Sequence, residues 1–247
     1  MERIELLYTD ANVIIIYKPE GILSVPFAGF RGRTAQGTVE EILRKKGMYS
    51  QKYKPLPVHR LDRETSGVMM FATNERAQKI IMDSWHQMVK SRSYVALAEN
   101  PTNFSKYGIL PDSGIIDDPI TYNAYNIGYV AEKSQHHRNG TDKNAGDKNS
   151  RNKKEVTART HFKITARGKR FSLFELELDT GRKNQIRAHL ASKGYPISGD
   201  SNYRARTNNF DRLCLHARSL VYIDPWSNEE KKFEWPEPKE WNEAVHK

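Results

Sequence analysis

Asp62 stands between Arg60 and Arg63 in the run Val58-His59-Arg60-Leu61-Asp62-Arg63-Glu64-Thr65-Ser66-Gly67. Pro55-Leu56-Pro57 ahead of it cannot enter a helix and holds the chain extended. Thr65-Ser66-Gly67 punctuates a turn, and Val68-Met69-Met70-Phe71 has the length and apolarity of a buried strand. Asp62 is therefore placed on a loop anchored by a rigid strand, where chemistry is commonly carried. Arg60 and Arg63 are expected to hold it ionised by opposite-charge stabilisation. The same triplet also fits a surface loop with a local ion pair, and residue types alone leave both readings open.

A second polar block, Asp179-Thr180-Gly181-Arg182-Lys183-Asn184-Gln185-Ile186-Arg187-Ala188-His189-Leu190, joins a strand end to a helix start. Backbone amides at a helix N-terminus, with Arg182, Lys183 and Arg187 beside them, suit a phosphate or a carboxylate. Ordinary exposed helix charges would look the same. Tyr94, in Ser91-Arg92-Ser93-Tyr94-Val95-Ala96, has a ring that can stack on a base and a hydroxyl that can reach a proton. Read alone, it is a core tyrosine of a strand. His59 and His216 have no carboxylate partner close in sequence and are assigned structural places. His136-His137 lack Cys or carboxylate at ligand spacing, so no metal is expected.

The elements that must position these groups follow from patterning. Ile4–Tyr8 and Val13–Tyr17 read as paired strands around Thr9-Asp10-Ala11-Asn12, the second apolar on both faces and hence inside a sheet. Ala28 to Gly37 is a loop carrying Gly29-Phe30-Arg31-Gly32-Arg33, a mixture suited to phosphates and bases or to plain solvation, and a helix follows over 38–45. Thr73 or Asn74 caps a helix to about Met88, whose stripe of Ala77, Ile80, Ile81, Ser84, Trp85 and Met88 is assigned to the core. Residues 92–99 alternate like a half-buried strand, and a short strand is placed at 107–110. A hairpin is expected from 156–165 and 169–179, then a helix near 183–193 and a strand at 215–223. Trp235, in the tail, is expected to pack on the surface of the domain. The whole reads as one α+β domain over 1–247, with an extended, largely antiparallel sheet.

Composition bounds the partner. The chain has 247 residues, 37% hydrophobic and 28% charged, with 40 Lys+Arg against 30 Asp+Glu for a formal charge of +10. This balance favours a polyanion, and nucleic acid is the commonest. Residues 133–154 hold seven Lys/Arg and two Asp, a net of +5, with Ala145 the sole apolar residue. Such a segment cannot bury enough surface to offset its ordering entropy, so it is expected to be a mobile insertion, either a grasping arm or a tolerated extension. Cys214 excludes an internal disulfide and is read as a small buried hydrophobe in a reducing compartment. With no run of about 20 apolar residues and no signal-peptide core, a cytoplasmic protein without membrane contact is expected.

The wording of the first block closely resembles the His-Arg-Leu-Asp-x-x-Thr-Ser-Gly signature of the RluA-type pseudouridine synthases, nine positions in fixed order. Lys18-Pro19-Glu20-Gly21 resembles that family's first motif, and the second block its Thr-Gly-Arg-x-His-Gln-Ile-Arg-x-His-Leu motif, continuing as Gly194-Tyr195-Pro196-Ile197 and Gly199-Asp200 to Tyr203. Leu213 and Leu215-His216-Ala217 resemble its last motif, an apolar wall of the pocket. The resemblance implies a pseudouridine-synthase-like catalytic domain with a central cleft, acting on structured ribosomal or transfer RNA without metal or organic cofactor. It implies that Asp62 is catalytic, that Arg187 pairs with it, and that Tyr94 lines the site. His59, Arg60, Arg63, Thr65, Arg182, Lys183, Asn184, Gln185 and Leu215 are expected to contact substrate. Asn184 stands where the family usually has His, so no acid-base role is expected there. Family members often carry an N-terminal RNA-binding domain, which a first strand at Ile4 leaves no room for, and a monomer is the default. A non-catalytic RNA-binding protein and an RNA hydrolase using Asp62 and His59 are the rival readings.

Overall fold

Val13 to Lys18 offers no polar face to solvent, and every one of these residues is buried. In the computed structural model, which describes residues 3–131 and 155–247, they form β2 (Val13–Lys18), antiparallel to β1 (Glu5–Thr9) and to β4 (Ser66–Ala72), with β3 (Leu56–Pro57) also on β4. Between β2 and β3 runs α1 (Ala35–Lys45), which starts three residues before the expected point because Thr34 Oγ1 accepts from Gly37 N and caps it. α2 (Glu75–Met88), capped by Asn74, runs directly into β5 (Val89–Glu99).

No strand forms at 107–110: Tyr107 ends a single turn, α3 (Phe104–Tyr107), because Asn103 Oδ1 accepts from Lys106 N and Gly108 takes a positive φ of 67°, and 108–110 are irregular. After it come β6 (Ser113–Ile116), β7 (Ile120–Tyr122) and β8 (Gly128–Val130), then β9 (Thr160–Arg167) and β10 (Phe171–Leu178). The hairpin starts later than expected, since Val156 makes only an isolated bridge to Ile120. α4 (Gln185–Ser192), β11 (Leu215–Ile223), β12 (Glu230–Glu234) and α5 (Lys239–Val245) complete the chain. The expected basic insertion, 133–154, lies outside the described residues.

One ten-stranded sheet runs β1-β2-β4-β11-β5-β10-β9-β6, with β12 on β11 and β3 on β4, while β7 and β8 pair separately. Its pairings are antiparallel except β4 with β11, where Ser66 faces His216 and Gly67 faces Ala217. Gly67 has φ 128°, and a Cβ there would run into the Ala217 carbonyl, so only glycine lets the two strands meet. Alternate residues feed two cores on opposite faces. Ile14, Ile16, Met69 and Phe71 pack with α1, Phe174 and Trp241, whereas Val13, Ile15, Val68 and Met70 pack with Ala77, Ile81 and Met88 of α2. This double burial is why β2 and β4 read as continuous apolar runs. It also corrects the half-wet expectation for β5: Tyr94 to Glu99 are all buried, since the strand lies between β11 and β10 with both faces covered. Trp235 stacks on Tyr17, ring centroids 4.6 Å apart. Cys214 is buried as expected, its thiol pushed up to about 12 by burial.

Candidate active site

The loop carrying Asp62 is clamped on both sides by the segment that follows β2. Ser24 Oγ donates to Leu61 O at 2.7 Å and accepts from Leu61 N at 3.0 Å. On the other side, Gly21 N donates to Arg63 O at 2.8 Å, and Arg63 Nε returns a bond to Gly21 O at 3.1 Å. Lys18, completely buried, reaches Arg63 O at 3.3 Å as well as Pro19 O and Ile22 O. Burial pulls the Lys18 amine down to about 7, against the raising influence of Glu64, Glu20 and Asp62. His59 is held by Met70 N, which donates to its Nε2 at 2.9 Å; burial, with Arg92 nearby, pulls it to about 3. That ring is therefore neutral and occupied in holding the loop against β4.

Asp62 meets its partners from the other side of the sheet's centre. Asn184 Nδ2 donates to Asp62 Oδ2 at 2.8 Å, and Arg187 Nη1 lies 3.5 Å from the same oxygen. The expected neighbours do not do this: Arg60 and Arg63 are exposed, and among the described residues neither pairs with Asp62. The loop leaves both arginines in solvent, with Arg63 turned to Gly21 O, whereas the start of α4 brings Asn184 and Arg187 to one oxygen of Asp62. Asn184 takes the left-handed conformation, φ 57° and ψ 20°, and begins α4 without capping it, which frees its amide for Asp62.

Arg187 is 4% exposed. Its Nε and Nη2 grip Asp200 at 2.7 and 2.8 Å, Glu64 lies 3.6 Å away, and the guanidinium sits over the Tyr203 ring at 5.3 Å. Burial alone would lower its pKa; the Asp200 bonds and the charges of Asp62 and Glu64 outweigh that and raise it. The guanidinium thus stays charged where Asp62 needs a cation.

These groups border a cavity of about 320 Å³ lined by His59, Arg60, Asp62, Thr65, Tyr94, Arg182, Asn184, Gln185, Arg187 and Leu215 among others. Ten of the twelve expected site residues are thereby brought together. Arg63 and Lys183 are not; they line a neighbouring cavity. The Tyr94 hydroxyl has no hydrogen-bond partner among the described residues, and burial raises its pKa. Gln185 is tied into its own turn, accepting from Thr180 Oγ1 and Arg182 N and donating to Arg159 O and Thr160 Oγ1. Two amides of the expected anion-binding turn are likewise engaged, Arg182 N with Gln185 Oε1 and Gln185 N with Arg182 O. Trp85 and His86, with Arg92, also line the cavity, correcting the assignment of the whole α2 stripe to the core. Trp85 lies against His59 at 5.0 Å. Among the described residues no cluster of three or more His, Cys, Asp or Glu could hold a metal ion, and no helix is long and apolar enough to cross a membrane.

The chain is similar to known proteins over most of its length. The family model for RNA pseudouridylate synthase covers residues 12–192. The Bacillus subtilis protein named "Uncharacterized RNA pseudouridine synthase YhcT" is 31% identical over 92% of this chain and 66% of its own length. Ribosomal large subunit pseudouridine synthase D of Vibrio vulnificus is 27% identical over 95% of this chain and 67% of its own. The chain spans about two thirds of the length of both. The solved structure of human RNA Pseudouridylate Synthase Domain Containing 4 has the same fold, with a TM-score of 0.70 at 24% identity over 97% of this chain and 91% of that one. Because the matched segment runs from β2 through the Asp62 loop to the end of α4, the chain belongs to the RNA pseudouridylate synthase family, a family of isomerases.

Proposed function

We propose that the protein converts uridine to pseudouridine in structured RNA, with Asp62 as the catalytic carboxylate. The observation that carries this reading is the single oxygen of Asp62 held by Asn184 and Arg187 on the floor of a cavity that also presents the Tyr94 ring. The reaction breaks the C1′–N1 bond, turns the uracil, joins C1′ to C5, releases the C5 proton and leaves a proton on N1. Asp62 acts as nucleophile at C1′ or as the base that starts glycal formation. Tyr94 stacks on the uracil, and its hydroxyl relays the C5 proton, accepting it as its own passes to solvent. A uridine within a folded RNA must leave its stack to reach this cavity, at a cost of a few kcal/mol. Phosphate contacts from a chain of formal charge +10 offset that cost and make binding strongly salt-dependent.

His59 is unsuited to the general-base role that an RNA hydrolase would need, because its Nε2 is occupied by Met70 N. Ribosomal and transfer RNA are the substrates to test, ribosomal RNA first, since one relative is named for the large ribosomal subunit. The decisive assay is tritium release from RNA labelled at uridine C5. Asp62→Asn and Asp62→Ala are expected to bind RNA and release none; continued release would remove Asp62 from the mechanism.

A further inference from the structure

Asp62 lies on a partition between two hollows. Besides the cavity that holds Tyr94, it borders a second of about 300 Å³, and Arg60, Leu61, Asn184 and Arg187 line both. The far wall of the second is the segment from Leu23 to Phe27, the same one that Ser24 ties to Leu61. Beyond it, Phe30 N donates to Phe27 O at 2.9 Å across a turn in which Gly29 has φ 82°. The turn sets the two rings side by side, centroids 5.1 Å apart. Phe27 is nonetheless 64% exposed, uncommon for a phenylalanine. Arg60, Arg63 and Lys183 give the hollow a cationic rim. Glu64, the other carboxylate in its lining, already faces Arg187 at 3.6 Å.

Paired aromatic rings in water beside a row of cations suit one kind of occupant, a nucleotide with a π-face and a phosphate. We propose that this second cavity is a subsite for the nucleotide next to the target uridine, its base on Phe27 and Phe30 and its phosphate among Arg60, Arg63 and Lys183. It rests on the isomerase reading, because continuity through Asp62 is what makes the occupant a neighbour of the target. The subsite would explain how a strand is gripped on one side while its uridine enters the other.

The test uses single-stranded RNA nonamers of adenosine and cytidine with one central uridine and 2-aminopurine directly 5′ or 3′ of it. Emission of 2-aminopurine falls when the base stacks. The whole protein is expected to quench at least one of the two probes. Phe27→Ala should restore emission and weaken binding roughly 5- to 150-fold, the worth of one stacked base, while Phe27→Tyr retains both. Exposure of Phe27 means that its truncation leaves the core intact. No quenching of either probe, or quenching and affinity unchanged in Phe27→Ala and Phe30→Ala, overturns the subsite. Tritium release from C5-labelled ribosomal and transfer RNA is read in parallel: release with Phe27-independent binding removes the subsite alone. Phe27-dependent quenching without release by the wild type removes the isomerase reading alone.

Discussion

Asn184 holds Asp62 more closely than Arg187 does, 2.8 Å against 3.5 Å to the same carboxylate oxygen. Arg187 is committed elsewhere, with two short bonds to Asp200, so it supplies charge while Asn184 supplies the directed bond. A hydrogen bond to a charged group is worth about 1.5–3 kcal/mol. Asn184→Gly removes that bond and keeps the left-handed backbone free of strain. Tritium release should fall by about 10- to 150-fold. An unaltered rate would show that Asp62 does not depend on Asn184.

Asp200 and Arg187 are a buried pair, 1% and 4% exposed, and removing one partner strands the other's charge. Asp200→Ala is expected to cost about 3–5 kcal/mol in urea unfolding. Arg187→Lys keeps a charge but cannot grip two oxygens at once, so both stability and rate should fall. Stability equal to wild type in Asp200→Ala would mean that the pair does not order the site.

The pairing of Asp62 with Arg187 was legible from the two motifs, and so was the sheet that carries them. What misled was nearness along the chain: Arg60 and Arg63 flank Asp62 in sequence, yet the loop turns their side chains outward, and Arg63 binds Gly21 instead. The Asn184 contact spans 122 positions and falls where the motif is broken, so no local pattern announces it. Helical spacing assigns Trp85 to the core, against which it does pack, but does not show that the end of that face overhangs a cavity. The burial of β5 on both faces depends on what packs against the sheet, which alternation within one strand does not encode.

Gly67 is the one position where the parallel β4–β11 contact tolerates no side chain. Gly67→Ala combines a positive φ with overlap against the Ala217 backbone, together about 2–5 kcal/mol. Gly47, after α1, also has a positive φ, 69°, but open space around it, so Gly47→Ala should cost only about 1–2 kcal/mol. Urea midpoints of the two variants separate strain from overlap. Equal losses would mean that β4 and β11 can move apart without penalty.

His216 makes the fold acid-sensitive. Arg212 Nη2 donates to Ser66 Oγ at 2.6 Å, Ser66 lies 2.8 Å from His216 Nδ1, and His216 Nε2 faces the Trp235 carbonyl at 2.8 Å. This chain joins β4 to the residue after β12 and favours a neutral ring protonated at Nε2. Burial holds the folded pKa at about 4, against an ordinary value of 6.5. Between those values the unfolded chain binds more protons, so stability is full above pH 6.5 and is lost as pH falls toward 4. One such proton contributes at most about 1.4 kcal/mol per pH unit. His59, pulled to about 3, adds to the same trend. His216→Gln should be less stable than wild type at pH 7 and should lose stability less steeply between pH 6.5 and 4 in urea unfolding. Parallel pH dependence in the two proteins would show that His216 titrates alike in the folded and unfolded chains.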